Sequence, residues 1–323
     1  MNTKLTITLA LALALAGCGK SAAPASSAAA APPPPPKGEM SAEQVAEQAR
    51  GGVSCPPRLS SATPDANAPV VDVLGVRPGL SYDDAAALVM CSAKLMVITP
   101  DNDHGYTINT SGTPIRQGFN ANFAQAHHEL SGREIVKQMQ QETLGRGLNR
   151  RRESTPEGES RWYVGTIGLP GAEQVTNAAR EEHYAPGQQP SIASLMDALV
   201  KKYGAPSIAY GNAGVDQSLR WIRDPEGRLA APGSPIAARC NLGPTDPDSG
   251  FSINEGCGLV VSAHLVPSRA NPELAEKLQV GVVDAAKAVQ LIQATEAALA
   301  ASKRQSQQQE VQQAEKKVPA PSL

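Results

Sequence analysis

The sequence predicts an α+β fold: helices packed on one side of an antiparallel sheet, in a single body or in two similar halves, with a long C-terminal helix. Three observations carry this. Ile192, Leu195, Met196, Leu199 and Val200 recur at helical spacing between a serine cap, Ser191, and a glycine stop, Gly204. Short aliphatic runs, such as residues 259–267 and 278–283, alternate with Gly, Pro and Asp turn signals and read as strands. Apolar residues make up 41% of the 323-residue chain but aromatic residues only 3%, so the core is built mainly from Val, Leu, Ile and Ala.

Along the chain, residues 1–17 read as an export signal. Lys4 supplies the positive flank, residues 5–15 are apolar, and Ala16 and Gly17 are small. The stretch is too short for a membrane span and ends in small residues, as secretory signals do. Leu15-Ala16-Gly17-Cys18 resembles the bacterial lipobox. That resemblance implies cleavage before Cys18, diacylglycerol on its sulfur and acylation of the new amine. Two or more acyl chains anchor stably, at about 0.8 kcal/mol per buried methylene. Gly19, in place of the Asp that favours inner-membrane retention, points to the outer membrane, facing the periplasm.

Residues 18–38 form an Ala/Ser/Pro-rich tether ending in the run Pro32 to Pro36. Five successive prolines favour a stiff polyproline II rod of about 3 Å per residue. Two α+β halves are expected beyond it, at 39–183 and 184–301, followed by a disordered tail at 302–323.

In the first half, Ser41 caps a helix to Arg50, which Gly51 and Gly52 end. A strand is expected at 70–74 and a turn at 75–80. Ser81 then caps a helix whose first turn holds Asp83 and Asp84, where carboxylates suit the dipole. Strands are expected at 95–99 and 106–109, partial helix over 123–148 with a stripe of Ile135, Met139 and Leu144, and strands at 162–169 and 173–183. In the second half, the helix from Ser191 is followed by strands at 207–210, 219–223, 237–240, 259–267 and 278–283. A helix from Asp284 to about Gln308 closes the chain, its apolar stripe dissolving beyond Ala301.

The other four cysteines, Cys55, Cys91, Cys240 and Cys257, are an even number in an exported chain. Four cysteines allow three pairings; Cys55 with Cys91 and Cys240 with Cys257 is favoured because each closes a short loop within one region, worth about 3 kcal/mol apiece by loop entropy. No pair has the C-x2-C spacing of a metal site, so neither metal nor cofactor is expected.

The segment Leu199-Val200-Lys201-Lys202-Tyr203-Gly204-Ala205-Pro206, with Tyr210 and Trp221 on following strands, resembles the helix–Gly-x-Pro–strand pattern of the small SmpA/OmlA outer-membrane lipoproteins. The run from Gly75 to Ala85 is similar to the opening of many proteobacterial lipoproteins. The resemblance covers about a third of the chain. It implies an α+β fold, shared with β-lactamase-inhibitor proteins, and an outer-membrane location. The chain departs from that pattern in its length, its second helix-and-strands unit, its disulfides and Ile222, where an aromatic is usual.

The nucleophile elbow, the zinc-protease helix motif, the P-loop and the dinucleotide fingerprint are missing from the sequence. The adjacent His127 and His128 point about 100° apart on a helix and read as solvated. Asp101-Asn102-Asp103-His104-Gly105 puts its glycine one place early for a calcium loop and reads as a hairpin turn. Trp162 and Trp221 fall in strands and read as core. Arg146, Arg150, Arg151 and Arg152 form the basic cluster, an interaction patch for anionic lipid, peptidoglycan or an acidic partner. A formal net charge of −2 argues against nucleic acid. The expectation is a lipid-anchored body with a non-catalytic binding or scaffolding role and an envelope protein as partner. A hydrolase or modifying enzyme with a site scattered through the sequence, or a small-ligand carrier, is the alternative.

Overall fold

Serine caps start the helices that frame the fold. Ser41, Ser81, Ser191 and Ser234 each accept a hydrogen bond from the backbone N–H three residues on, fixing the starts of α1 (Ala42–Arg50), α2 (Tyr82–Met90), α4 (Ile192–Tyr203) and α5 (Pro235–Arg239). Between α2 and α4 lie β1 (Met96–Pro100), β2 (Gly118–Phe123), α3 (Gly132–Gly147), β3 (Ser160–Ile167) and β4 (Gln174–His183). After α4 come β5 (Ile208–Tyr210) and β6 (Gln217–Ile222), then α5, β7 (Leu259–Pro267), β8 (Ala275–Asp284) and α6 (Ala285–Lys317). The computed structural model describes residues 38–55, 71–101, 106–128, 131–147, 155–211, 214–241, 243–249 and 252–317. These belong to one unit, Pro36–Leu323; Met1–Pro35 divides off as another and lies outside the described residues, with Cys18 and the proline run.

The eight strands form one antiparallel sheet in the order β1-β2-β3-β4-β8-β7-β6-β5. Two meanders of four strands therefore meet at one seam, β4 against β8, with Arg180 opposite Val280. Each meander is led by a helix whose first residue is tied to the start of the meander's last strand. Tyr82 donates to the Glu173 carbonyl at 3.0 Å while Val175 donates to Leu80; Ile192 donates to the Glu273 carbonyl at 2.9 Å while Ala275 donates to Pro190.

Pleating separates the sheet's two faces. One face carries Phe119, Trp162, Val164, Ala178, Val282, Val261, Ala263, Leu265, Leu219 and Trp221, covered by Ala85 and Val89 of α2 and Leu199 and Tyr203 of α4 in a single core. Trp162 and Trp221 are 1% and 2% exposed, the core positions expected of them. The Trp221 indole donates to the Gly204 carbonyl at 2.7 Å and packs on Tyr203, ring centroids 5.0 Å apart. A smaller cluster of Ile222, Val260, Val283, Ala237, Cys240, Cys257 and Ala285 lies on the opposite face, under α5 and the start of α6.

The α+β class and the long final helix match expectation, and the disulfides are Cys55–Cys91 and Cys240–Cys257, with Cα atoms 5.3 and 5.6 Å apart. Several elements differ. Residues 71–76 make only a two-residue turn bridge, Val73 to Val76, because Asp72 turns its carboxylate to the Gly75 N–H instead of continuing a strand. Residues 106–109 form no strand; β2 takes that place in the sheet. Residues 237–240 belong to α5 and its C-cap, because Ser234 caps and Pro235 pre-sets the first helical turn. Ile135 and Met139 are exposed rather than buried. The final helix runs past Gln308 to Lys317, through residues expected to be disordered. Gln, Glu, Lys and Ala favour helix, and Lys316 and Lys317 complement its C-terminal dipole.

Two outcomes follow. Replacing Cys240 and Cys257 together by Ser should cost about 3 kcal/mol in urea unfolding. Truncation after Ala301 should change stability by less than about 0.5 kcal/mol, since every residue from Ala301 to Lys317 is exposed.

Candidate functional site on the polar sheet face

The face turned away from α2 and α4 is polar over much of its area. Antiparallel register sets one row straight across five strands: Arg161 opposite Glu181, Glu181 opposite Gln279, Gln279 opposite His264, and His264 opposite Ser218. Four of these side chains are wired together. Arg161 Nε donates to Glu181 Oε1 at 3.2 Å and to Thr155 Oγ1 at 2.8 Å, and the Thr155 hydroxyl in turn donates to Glu181. The Gln279 amide nitrogen donates to the other Glu181 oxygen. Its carbonyl oxygen then faces His264 Nδ1 at 2.7 Å, so that nitrogen carries the proton. His264 Nε2 lies 3.2 Å from Asp216.

Burial by itself would raise the Glu181 carboxyl. The hydrogen bonds from Thr155 and Gln279 and the Arg161 charge outweigh burial and hold it below the usual carboxylate range. Burial likewise pulls the Arg161 guanidinium down, and the Asp248 and Glu181 carboxylates more than restore it. The Arg161 and Glu181 charges are therefore fixed in place by their partners.

Beside this row lies a second one of small residues, Ala179, Gly281 and Ser262. The chain after α5 presses onto it. A Cβ on Gly281 would stand 2.2 Å from the Pro244 carbonyl oxygen, and one on Gly243 would stand 2.5 Å from Ser262 Oγ. Only glycine permits that approach. The segment is held at its base by Cys240–Cys257 and at its far end by Asp248, whose carboxylate forms an ion pair with Arg161 at 2.7 Å outside directed hydrogen-bond geometry. Between this segment and the strands is a cleft of about 370 Å³ with Ser218, Arg220, His264, Lys277 and Gln279 on the sheet side and Thr245 and Asp246 on the other.

The Asp216–His264–Ser218 grouping has the residue types of a hydrolytic triad without its wiring. Both imidazole nitrogens are already engaged, one by Gln279 and one by Asp216. Neither is turned to a hydroxyl as a general base must be.

Sequence reasoning picked out other residues. Cys55, Cys91, Cys240 and Cys257 are the two bridges, of which only Cys240–Cys257 borders this face. Arg146 lies on α3, its side chain outside the described residues, as are Arg150, Arg151 and Arg152 and the lipidation residue Cys18. Asp101 is hydrogen-bonded by the Asn120 amide; the rest of the suspected calcium loop is outside the described residues. His127 joins Met40 through a backbone bridge, and His128 sits 3.8 Å from Glu134 at the surface. The polar row itself was missed. Its members are spread over β3, β4, β6, β7 and β8, and only strand register unites them; the one local signal was a charged or polar residue at alternate positions of Val-rich strands.

No protein-family model matches the chain, and neither a curated protein nor a solved structure matches it. The fold and site define an α+β protein with a preorganised polar sheet face.

Glu181→Ala should cost about 1–3 kcal/mol, because it removes the acceptor of Thr155, Gln279 and Arg161 while Asp248 still compensates the Arg161 charge. The Glu181 carboxyl is lowered in the folded state, so its contribution is complete above the usual carboxylate range and is lost as pH falls through the folded value. Unfolding curves between pH 7 and pH 3 should therefore show a shallower acid limb in Glu181→Gln than in the parent.

Proposed function

We propose that this chain is a lipid-anchored, periplasm-facing protein of the outer membrane with a non-catalytic binding role, and that the polar sheet face is its recognition surface. The observation that carries the reading is the register-matched row Arg161–Glu181–Gln279–His264 beside an open cleft. Fixed polar groups lose little conformational entropy on meeting a partner, which favours recognition. Leu15-Ala16-Gly17-Cys18 after an apolar leader supports the anchor, and two disulfides suit an oxidising compartment. The tether from residue 18 to 38 raises the local concentration of the face near the membrane. An envelope protein is the proposed partner, with Arg146, Arg150, Arg151 and Arg152 as an auxiliary basic contact to it or to anionic lipid.

The reading includes a duplicated architecture, with α2 and β1–β4 as one half and α4 and β5–β8 as the other. It is supported by the paired backbone ties at Glu173 and Glu273, by a helix inserted before the third strand of each meander, and by the antiparallel seam at Arg180 and Val280. Kinship with SmpA/OmlA lipoproteins is part of the same proposal and rests on the helix–Gly-x-Pro–strand segment.

Cys18→Ala should move the protein from the outer-membrane fraction to the soluble periplasm on fractionation, and intact mass of the parent should show an acylated start. An unmodified start or unchanged membrane association would overturn the anchor. Photocrosslinking from position 218 should capture one stoichiometric envelope protein, and capture at the same yield from the opposite edge strand β1 would overturn the assignment of the face.

A further inference from the structure

The cleft beside the polar row contains charges that the row does not use. Arg220 projects from β6 next to Ser262 of β7 in register, and is half-buried. Its Nε and the Ser262 hydroxyl are both sealed from solvent with no hydrogen-bond partner, and Arg220 makes no ion pair among the described residues. Burial accordingly pulls its guanidinium below the usual arginine range. The sealed Nε lies beyond a ligand's reach, but the rest of the guanidinium lines the cleft with no carboxylate partner among the described residues, and its outer N–H donors are the ones an entering anion would meet.

The cleft's charges are balanced. Arg220 and Lys277 line it as cations, Asp246 and Glu276 as acids. His264 is held between Asp216 and Gln279. The lining thus mixes both signs, with Asp246 Oδ1 accepting from the Asp248 N–H and Glu276 Oε1 4.0 Å from His183 Nε2. A ligand carrying one charge of each sign close together satisfies both. The volume, about 370 Å³, lies in the range of small-ligand sites, ~300–1,000 Å³.

We propose that this cleft binds a small zwitterion, an amino acid or a dipeptide, with its carboxylate on Arg220 and its ammonium toward Asp246. Ser218 and Thr245 flank the polar ends and supply hydroxyls for the ligand's remaining donors and acceptors. Because Pro244, Asp246 and Asp248 belong to one segment latched onto Arg161, the acidic wall stands in place before the ligand arrives. The inference rests on the polar face being a recognition surface and names the chemistry that one part of it takes.

The test is calorimetric titration of the full chain with alanine, alanyl-alanine, N-acetyl-alanine and acetate at equal ionic strength. Alanine or alanyl-alanine should bind, and whichever binds tighter identifies the ligand's size. N-acetyl-alanine and acetate, lacking the ammonium, should bind at least tenfold more weakly. Arg220→Gln should weaken the zwitterion at least tenfold while leaving the thermal midpoint near the parent's. If Arg220→Gln does not fold, Lys277→Gln at the half-buried rim should give at least a threefold loss. Absence of binding by both zwitterions overturns the proposal, as does acetate binding equally well or unchanged affinity in both variants. Crosslinking from position 218 reads the larger surface separately, so a failed titration with a captured partner sinks only the zwitterion site.

Discussion

The antiparallel pairing of β4 with β8 is the constraint on which the folded body depends. Seven residue pairs, from Asn177 with Val283 to His183 with Lys277, join the two meanders there. Side chains alternate between faces with a period of two, so a slip of one residue exchanges the faces of everything beyond the seam. Val280 and Val282 would leave the core beside Ala178, and Gln279 would enter it next to Trp162. Burying an unpaired amide while exposing two valines costs several kcal/mol together, from about 1–3 kcal/mol for the amide and about 1.5–3 kcal/mol for each valine. The register that fills the apolar face is thus the one that aligns the polar row on the other.

That polar face is graded along the strands. At one end Val283, Val260 and Ile222 are roofed by α5 and the Cys240–Cys257 bridge, and at the other Glu181, Gln279 and His264 form the hydrogen-bonded row. The chain between them crosses on Gly281 and reaches Arg161 through Asp248. One arginine therefore serves two purposes. It neutralises a buried carboxylate within the sheet, and it anchors the segment that walls the cleft.

Much of the architecture was legible because local and tertiary preferences agree. The strand at Leu259–Pro267 is rich in Val and Leu, and the serine caps at 41, 81 and 191 announce their helices. Where they disagree, the reading failed. The strand β2, Gly-Phe-Asn-Ala-Asn-Phe, has low intrinsic strand preference and exists because β1 and β3 sandwich it. The Ala-Ala-Arg-Cys run ending at Cys240 looked extended until the Ser234-Pro235 start is weighed. The disulfides were legible from an even cysteine count in a chain that reads as exported, and short loops favoured the pairing found. The recognition face was not, since neighbouring members of the row are fifteen or more residues apart in the chain. Register is a property of the folded sheet, and a single sequence carries it only as alternation within separate strands.

Multidimensional NMR of the uniformly labelled chain measures that register without perturbing it. Cross-strand backbone contacts should pair Arg180 with Val280, Glu181 with Gln279 and Gln279 with His264, and the Gln279 side-chain amide should show protected, shifted protons. Contacts displaced by one residue at the β4–β8 seam, or a Gln279 amide exchanging at the rate of a free side chain, would contradict the account.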